Sequence, residues 1–420
     1  MIRKLEALHF RCLRSCRQEV ERFQLLVGPN ASGKSTFLDI ADLLGSLMNP
    51  GQQDLEAVRE RAPDIEELLW MRQGKSFELA VELTIPPERA GRLPGNGKDT
   101  ARYEIAIGLR GDGELAVLTE NLLLMRAEGP SPPRQLTVFP HPDPPPESIV
   151  HQARKRLPEG CRLSLSKSPE SGQHTFHAET SGWKNPFRLG PRSIGLANLP
   201  ADEEKFPVAV WVRDVLRRGV QRIALNGDLM RKPSPPGSPA EFRPDGSNLP
   251  RAVEGLAQAD PRQFQRWIAH VRTALPDIER VETVERPEDR HRYLVVVYRS
   301  GLRAPSWTVS DGTLRLLALT LLAYLGTPDS VYLVEEPENG IHPQAVETVF
   351  QSLSSSPDAQ MLCATHSPVL LALARPEQVL CFARNADGAT DIVRGDEHPN
   401  LRAWRGEVDL GTLFATGMLG

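Results

Sequence analysis

The sequence predicts an α/β fold in which a mixed sheet is flanked by helices, and three patterns carry that prediction. A glycine-rich segment, Gly28–Ser35, joins a predicted strand, Val20–Val27, which is rich in Phe, Leu and Val, to a helical pattern that begins at Lys34. From Trp307 onward, apolar strands alternate with helices, which favours a parallel sheet. Three strand-like runs with short Gly, Pro and Asp breaks predict an antiparallel β meander: Phe77–Ile85, Tyr103–Leu109 and Glu114–Leu124.

Two proline-rich stretches interrupt the middle of the chain. Residues 129–147 contain Pro130-Ser131-Pro132-Pro133 and Pro144–Pro146, and Pro233–Pro250 is rich in Pro, Gly and Ser. Such stretches predict surface loops or linkers. The other patterns of this region predict helices at Val208–Val220, Leu249–Leu256 and Pro261–Leu275, and a strand at Tyr293–Tyr298. We therefore expect an inserted α+β or helical subdomain.

The composition is that of an ordinary globular chain of two or three units, with 420 residues and a net charge of -4. A contact with DNA or RNA would need a local basic patch or a partner, because the chain has no global positive charge. The longest largely apolar run, Leu316–Leu325, is shorter than the ~20 residues of a membrane helix. The N-terminus begins a strand pattern instead of a signal peptide. We expect a cytoplasmic protein without membrane contact.

A phosphate site is predicted at residues 28–35, which read Gly28-Pro29-Asn30-Ala31-Ser32-Gly33-Lys34-Ser35 and match the GxxxxGK[ST] pattern in full. Glycines let the loop curl so that backbone N–H groups face phosphates, and the following helix N-terminus adds a partial positive charge. We expect Lys34 to reach the β- and γ-phosphates, Ser35 to offer its hydroxyl to Mg²⁺, and Thr36 to complete the nucleotide-binding segment. A chance glycine-rich turn is the alternative, which the strand before it and the helix after it disfavour.

Carboxylates follow the apolar strand Val331–Val334, at the sheet edge where ligands of open parallel sheets bind. Glu335 is predicted to hold Mg²⁺, and Glu336 to orient and deprotonate the attacking water. A solvated acidic turn is the alternative. His366 ends another apolar run and could hydrogen-bond a γ-phosphate, while a purely structural histidine is its alternative.

These segments together resemble the ABC-like ATPases of the SMC, RecF and OLD kind. The closest resemblance is to the bacterial AAA family ATPases with an AAA_21-type domain, a group often found in anti-phage defence loci. It is carried by Gly28–Ser35, Ser310–Thr313, Leu333–Pro343 and Ala364–Pro368. The resemblance implies an ABC-ATPase-type head that hydrolyses ATP with Mg²⁺. It also implies three parts: an N-terminal part of the ATPase lobe at 1–128, the inserted subdomain at 129–300, and the C-terminal part of the lobe at 301–420.

The resemblance places Ser310, Asp311 and Gly312 where the ABC signature contacts the γ-phosphate held by the opposite subunit. Ser310 would give a hydroxyl and Gly312 a backbone N–H at a helix N-terminus. One chain has one P-loop and one signature, so two complete sites imply a head-to-tail homodimer. Asp311 replaces the second glycine of transporter signatures, and a helix N-cap is its structural alternative. Gln73 is the candidate for the family's Q-loop glutamine.

In two features the sequence differs from members of the SMC and OLD groups. The interval between the motifs has two proline-rich stretches and no sustained heptads, which excludes the long coiled coil of SMC proteins. Only 54 residues follow His366, too few for the TOPRIM nuclease domain of OLD proteins. We therefore expect any nuclease or toxin effector to be a separate chain.

Several functions remain open on the sequence. The first is an ATPase motor or switch in nucleic-acid surveillance, such as anti-phage defence or repair. The alternatives are a nucleotide-gated scaffold with little turnover and a transporter ATPase subunit, although the signature is unlike the transporter form. A P-loop kinase or GTPase fits the late Glu-Glu-Pro-Glu poorly. A basic cluster of helical spacing is interpreted as either a nucleic-acid surface or a solvated face: Arg213, Arg217, Arg218 and Arg222.

Overall fold

The computed structural model describes residues 1–49, 55–95, 97–129, 136–152, 157, 159–168, 172–326, 328–402 and 408–419. Pro130-Ser131-Pro132-Pro133, the first of the predicted proline-rich loops, lies outside these residues. The strands are β1 (Ile2–Phe10), β2 (Leu13–Glu19), β3 (Phe23–Val27), β4 (Ser76–Thr84), β5 (Thr100–Leu109), β6 (Leu115–Met125), β7 (Arg162–Lys167), β8 (His174–His177), β9 (Lys184–Phe187), β10 (Val220–Ile223), β11 (Ile278–Glu285), β12 (Arg292–Tyr298), β13 (Arg303–Pro305), β14 (Val331–Glu335), β15 (Gln360–Ala364), β16 (Val379–Arg384) and β17 (Thr390–Arg394).

The helices alternate with these strands chiefly in the second half of the chain. They are α1 (Lys34–Ser46), α2 (Glu56–Arg59), α3 (Pro87–Ala90), α4 (Pro207–Asp214), α5 (Gly227–Met230), α6 (Leu249–Ala259), α7 (Pro261–Ala274), α8 (Asp311–Leu322), α9 (Pro343–Ser354), α10 (Pro368–Ala372), α11 (Pro399–Arg402) and α12 (Leu410–Ala415). Short 3-10 turns occur at Ile65–Leu68, Trp70–Arg72, Ser306–Thr308, Pro376–Gln378 and Gly395–Glu397, and one π-helix at Val215–Gly219.

A six-stranded sheet in the order β10-β14-β15-β3-β16-β17 carries the motif segments. Its pairs are parallel except β16–β17, because helical connections lead from one strand to the next. Residues of β3 alternate between two hydrophobic clusters: Leu26 packs with Phe37 of α1, and Leu25 with the cluster that holds Trp267 of α7. Helices therefore cover both faces of this sheet, as the sequence predicts.

An antiparallel sheet in the order β2-β1-β4-β5-β6-β7-β8-β9 packs on the α1 side of the molecule. The predicted meander is confirmed as β4, β5 and β6. The predicted α/β class, with a mixed sheet, helices and a meander, is confirmed as well. Among the described residues, no helix is long and apolar enough to cross a membrane.

The predicted insertion at 129–300 contributes to all three sheets. Strands β7–β9 extend the antiparallel sheet, β10 forms an edge of the six-stranded sheet, and β11 and β12 pair with β13 in a three-stranded sheet. Each sheet thus joins strands from more than one of the three predicted parts, and the three-part division of the chain stays a prediction.

The predicted helix Val208–Val220 is confirmed as far as Gly219, although its second half is a π-helix. Helix α4 ends at Asp214, a π-helix follows, and Val220 begins β10. The backbone of Gly219 passes so close to Asp329 that a Cβ there would lie 2.4 Å from the Asp329 carbonyl oxygen. Parallel pairing of Val220–Ile223 with Val331–Val334 then takes the chain out of the helix at Val220.

Candidate nucleotide site

The glycines of the P-loop are required by close approaches of the backbone. Gly28 has φ 149°, and a Cβ on it would lie 2.2 Å from the carbonyl oxygen of Phe382 on β16. Gly33 has φ 107°, and its Cβ would lie 2.7 Å from Oγ1 of Thr390. Thr390 also donates a hydrogen bond to the carbonyl oxygen of Ser32, at 2.9 Å. Two strands of the sheet edge thus hold the loop that leads into α1.

Lys34, the first residue of α1, folds back over the loop. Its Nζ donates to the carbonyl oxygens of Gly28 and Pro29, at 2.8 and 2.9 Å. Burial lowers the pKa of Lys34 to about 8, although the carboxylates of Glu336 and Glu335 act in the opposite direction. The ammonium group is therefore held at the phosphate end of the loop by weak acceptors, where anionic oxygens would bind it more strongly.

Ser35 and Glu335 meet across the sheet. The Ser35 hydroxyl donates to Oε2 of Glu335 at 2.6 Å, and the guanidinium of Arg222 on β10 contacts Oε1 of the same carboxylate. Strand β14 brings Glu335 to the edge at which β3 ends, because both strands run parallel on either side of β15. The pair of oxygens predicted to hold Mg²⁺ is thus assembled.

Glu336 occupies a left-handed backbone conformation at the end of β14, with φ 48°. Its N–H donates to the carbonyl oxygen of Ala364 at 2.8 Å, and its side chain is exposed. Such a conformation costs about 1 kcal/mol or more for a residue with a Cβ, and strained residues of this kind cluster at functional sites. The turn presents the carboxylate to the cavity above the sheet edge.

Glu338 ties the Glu336 turn to the segment that carries His366. One of its oxygens accepts from Oγ1 of Thr365 at 2.6 Å and from the His366 backbone N–H at 3.3 Å. Burial lowers the pKa of His366, and Lys34 acts in the same direction against Glu336 and Glu338. The imidazole is therefore neutral at pH 7 and can donate one hydrogen bond from one ring nitrogen.

One cavity of about 770 Å³ collects most of the predicted residues. Its lining includes residues 30–36 of the loop, Glu335, Glu336 and His366. Gly28 and Pro29 shape the loop from behind and are outside the lining. Ser310, Asp311 and Gly312 are also outside the lining found among the described residues, so this chain does not bring its signature segment to its own P-loop.

The lining also contains residues that the sequence did not single out as ligands. Arg11 lies in the β1–β2 turn, and Trp70, Met71 and Arg72 form one wall. Met71 and Arg72 both have φ 54°, a left-handed conformation that marks a tight turn two residues before Gly74. Gln73, the candidate Q-loop glutamine, is exposed and is not part of this lining.

The Ser310–Gly312 segment begins α8, and its polar groups are satisfied within the chain. Ser310 is the N-cap: its Oγ accepts from the N–H of Thr313 at 3.2 Å. The alternative interpretation of Asp311 as the N-cap is therefore wrong. Asp311 lies in the first turn and accepts from Nε of Arg315 at 2.7 Å. A Cβ on Gly312 would lie 2.6 Å from the carbonyl oxygen of Gly340.

Residues 150–372, just over half of the chain, match the AAA_21 family model, described as "AAA domain, putative AbiEii toxin, Type IV TA system". This chain belongs to the AAA_21 family. The resemblance stated from the motifs is thereby confirmed. The matched range of this AAA_21 protein contains the signature segment, Glu335, Glu336 and His366. A sequence comparison with curated proteins finds no match.

Three solved structures are similar to this AAA_21 protein. A SmcHead bound to the C-winged helix domain of ScpA has 16% identity and a TM-score of 0.49, covering 93% of this chain and 96% of that chain. An Smc head domain with an extended coiled coil, bound to the C-terminal domain of ScpA derived from Pyrococcus furiosus, has 15% identity and a TM-score of 0.48, covering 100% and 98%. The SMC head domain from Thermotoga maritima has 14% identity and a TM-score of 0.44, covering 94% and 98%.

As an AAA_21 protein with a complete P-loop, the chain is a P-loop ATPase of the AAA type, and such proteins bind nucleotide, usually with Mg²⁺. The residues at the cavity fit both groups. Ser32 Oγ, in the loop that lines the cavity, is buried and has no hydrogen-bond partner among the described residues. The hydroxyl of Ser35 and the carboxylate of Glu335 are oxygen donors of the kind that Mg²⁺ prefers.

Proposed function

We propose that this AAA_21 protein binds and hydrolyses Mg-ATP at two composite sites of a head-to-tail homodimer. The observation that carries the proposal is the separation of the two half-sites. The P-loop, Glu335, Glu336 and His366 line one cavity, whereas Ser310 starts a helix outside it. In a two-fold symmetric dimer, the Ser310 segment of each chain would complete the P-loop cavity of the other chain.

Each cavity residue has a proposed role. Backbone N–H groups of residues 30–36 and the Lys34 ammonium bind the phosphates of ATP. Ser35 and Glu335 hold Mg²⁺, which, when bound, neutralises charge on the phosphate oxygens. Glu336 orients the attacking water and takes its proton, and the neutral imidazole of His366 donates to the γ-phosphate.

The signature segment completes the site from the opposite subunit. Ser310 is exposed, and its hydroxyl at the start of α8 donates to Oγ1 of Thr313 at 2.9 Å, a bond it can exchange for a phosphate oxygen. The N-terminus of the 12-residue α8 adds a partial positive charge, and the Gly312 N–H belongs to its first turn.

ATP binding closes this dimer and hydrolysis opens it, which makes the protein a switch. We propose that the switch gates a separate effector, a nuclease or toxin, in nucleic-acid surveillance or anti-phage defence. The family description supports an effector partner, since it names a toxin and a toxin–antitoxin system. The carboxylate at Glu336 favours turnover over a scaffold that only binds nucleotide.

Mixing two inactive variants tests the composite site. Lys34→Ala damages the P-loop, and Ser310→Arg adds bulk at the exposed start of α8. Random pairing makes half of the dimers mixed, and each mixed dimer has one intact site, so the mixture should regain about a quarter of wild-type ATP turnover. Phosphate release and the mass in solution with and without ATP are the measurements.

The matched control mixes Lys34→Ala with Lys34→Met, which leaves every site with a damaged P-loop and should stay inactive. Thermal melting of each variant shows that it folds. If the first mixture is no more active than its components, or if Ser310→Arg alone turns over ATP like the wild type, the composite site is wrong.

A further inference from the structure

A second groove, of about 640 Å³, lies on the outer side of the P-loop helix. It is formed by α1, the π-helix, β10 and the loop at 239–244. Four arginines line it: Arg217, Arg218, Arg222 and Arg243. Two carboxylates, Asp42 and Glu241, share the lining, so the groove carries a local positive charge on a chain whose net charge is -4.

Most of these guanidinium groups are free to bind an anion. Across the described ranges, Arg217, Arg218 and Arg243 have no carboxylate within ion-pair distance, and Arg218 and Arg243 are exposed. Arg213 differs: its guanidinium contacts Asp214 at 3.1 Å and the carbonyl oxygen of Leu199 at 2.9 Å, and it is outside the groove. Of the four arginines that the sequence groups by helical spacing, Arg213 is therefore separate, and the other three line one groove.

The π-helix at Val215–Gly219 positions two of these arginines. Val215 and Leu216 are buried, which leaves the consecutive Arg217 and Arg218 at the surface. A Cβ on Gly45 of α1 would lie 2.6 Å from the carbonyl oxygen of Leu216, so the π-helix rests directly on the P-loop helix. Single-turn π-helices are rare and occur frequently at functional sites.

Arg222 connects the groove with the nucleotide cavity. Its guanidinium contacts the carboxylate of Glu335, and its NH1 lies 3.9 Å from the carboxylate of Asp42 on α1. Glu335 in turn accepts the hydrogen bond of Ser35. One side chain therefore separates an anion in the groove from the carboxylate that the proposed function gives to Mg²⁺.

We propose that this groove binds the phosphate backbone of a nucleic acid, and that Arg222 transmits its occupancy to Glu335. The planar fork of a guanidinium matches two phosphate oxygens, and several such contacts along one groove fit a polyanion. The large apolar side chains of the lining, Val220 and Phe242, are buried, and only the small rings of Pro239 and Pro244 are exposed among its apolar residues. The groove therefore offers no deep apolar pocket for the anchors of a protein partner. The coupling rests on the proposed ATPase function, whereas the binding does not.

Fluorescence anisotropy without ATP tests the binding, using labelled duplex DNA, single-stranded DNA and RNA of equal length. The double variant Arg217→Gln/Arg218→Gln should bind the preferred nucleic acid about tenfold more weakly and lower the slope of log Kd against log salt by about 2. The matched control is Arg92→Gln/Arg188→Gln, which removes two exposed arginines without ion-pair partners in the described part of the chain. It should leave affinity and slope unchanged.

Equal weakening in both double variants would overturn the groove assignment. A second result would also overturn it: the protein binds polyglutamate through Arg217 and Arg218 but binds no nucleic acid. The occupant of the groove would then be an acidic protein. ATP turnover is measured in the same preparations. Normal turnover without nucleic-acid binding overturns the groove alone, while groove-dependent binding without turnover overturns the ATPase proposal and leaves the groove standing.

The transmitting role of Arg222 is tested by stimulation. Nucleic acid should raise ATP turnover of the wild type several-fold, and Arg222→Gln should still bind nucleic acid within a few-fold while turnover no longer responds to it. Arg222→Lys keeps the charge and should recover part of the response. An Arg222→Gln protein that is stimulated like the wild type contradicts the coupling.

Discussion

The nucleotide cavity and the signature corner, Ser310–Gly312 with Gly340, differ in how their polar groups are satisfied. In the cavity, Lys34 bonds, among the residues that the structure describes, only to carbonyl oxygens of its own loop, and Glu336 is exposed on a left-handed turn. At the corner, Ser310 caps its helix, and Asp311 pairs with Arg315 and lies 3.7 Å from Arg231. Among the described residues, the charged groups of Lys34 and Glu336 in the cavity have no ion-pair partner, whereas the charged group at the corner, Asp311, is paired.

Under the proposed function, this difference matches a division of roles between the two half-sites. The groups proposed to bind phosphate and metal are held in place but incompletely paired, at a cost in burial and backbone strain. The corner instead offers a helix N-terminus and a hydroxyl, neither of which requires an unpaired charge in the free chain. Substitutions in the cavity should therefore change chemistry and binding, while charge changes at the corner should be nearly silent for a single chain.

The largest expected effect is that of Glu336→Gln. Because Gln has the same shape and the backbone bond to Ala364 is unaffected, ATP binding should be retained, whereas loss of the proton acceptor should lower turnover by about 100-fold to 10,000-fold. Single-turnover hydrolysis and nucleotide affinity are the measurements, and the mass in solution with ATP should shift to that of a dimer. Wild-type turnover by this variant would show that another group is the base.

An intermediate effect is expected from the pH dependence of ATP binding. The pKa of Lys34 is about 8 in the free chain because of burial, so its ammonium is charged below that pH and lost above it. Phosphate binding favours the charged form, so affinity should fall roughly tenfold between pH 7 and pH 9, with proton uptake on binding. Titration calorimetry in buffers of different ionisation enthalpy measures both. Lys34→Ala should bind ATP weakly, with an affinity that does not change with pH in this range. The same pH profile in that variant would show that another group causes the pH dependence.

The smallest effect is expected from Asp311→Asn at the signature corner. The substitution keeps the shape and removes the charge that faces Arg315, in a pair that is partly exposed. Pairs of this kind contribute about 0.5 kcal/mol or less to the free energy of unfolding. Chemical denaturation should show a change of that size, and ATP affinity of the single chain should not change. A loss of ATP affinity like that of Lys34→Ala would place Asp311 in the cavity and remove the contrast between the two regions.

Much of the fold follows from local patterns that survive in the tertiary structure. The meander runs become β4, β5 and β6 with bounds shifted by a few residues, and α6 and α7 begin at the predicted Leu249 and Pro261. Amphipathic period and cap residues predict such elements because the same face that is apolar in sequence is buried in the fold. Asp260, for example, caps α7 by accepting from the N–H groups of Arg262 and Gln263.

The elements that the sequence patterns did not predict are those that are stabilised by pairing with strands far away along the chain. Strand β10 has four residues and exists because it pairs with β14, more than 100 residues away along the chain. Strand β17 pairs with β16 and brings Thr390 under the P-loop, although nothing near Thr390 signals such a role. Pairing across such a separation leaves no period in either segment alone, so pattern analysis cannot find it.

For the nucleotide site, the sequence alone determined the residue types and their order: the P-loop, Glu335 and Glu336 at the end of β14, and His366. Short sequence patterns reveal these residues because each lies at the end of a strand, where an apolar run stops and a polar side chain follows. The tertiary structure alone decided which distant groups surround them, among them Arg222 on Glu335 and Glu338 on Thr365. Those contacts depend on strand order, which the packing of the whole sheet imposes and no neighbouring residue encodes.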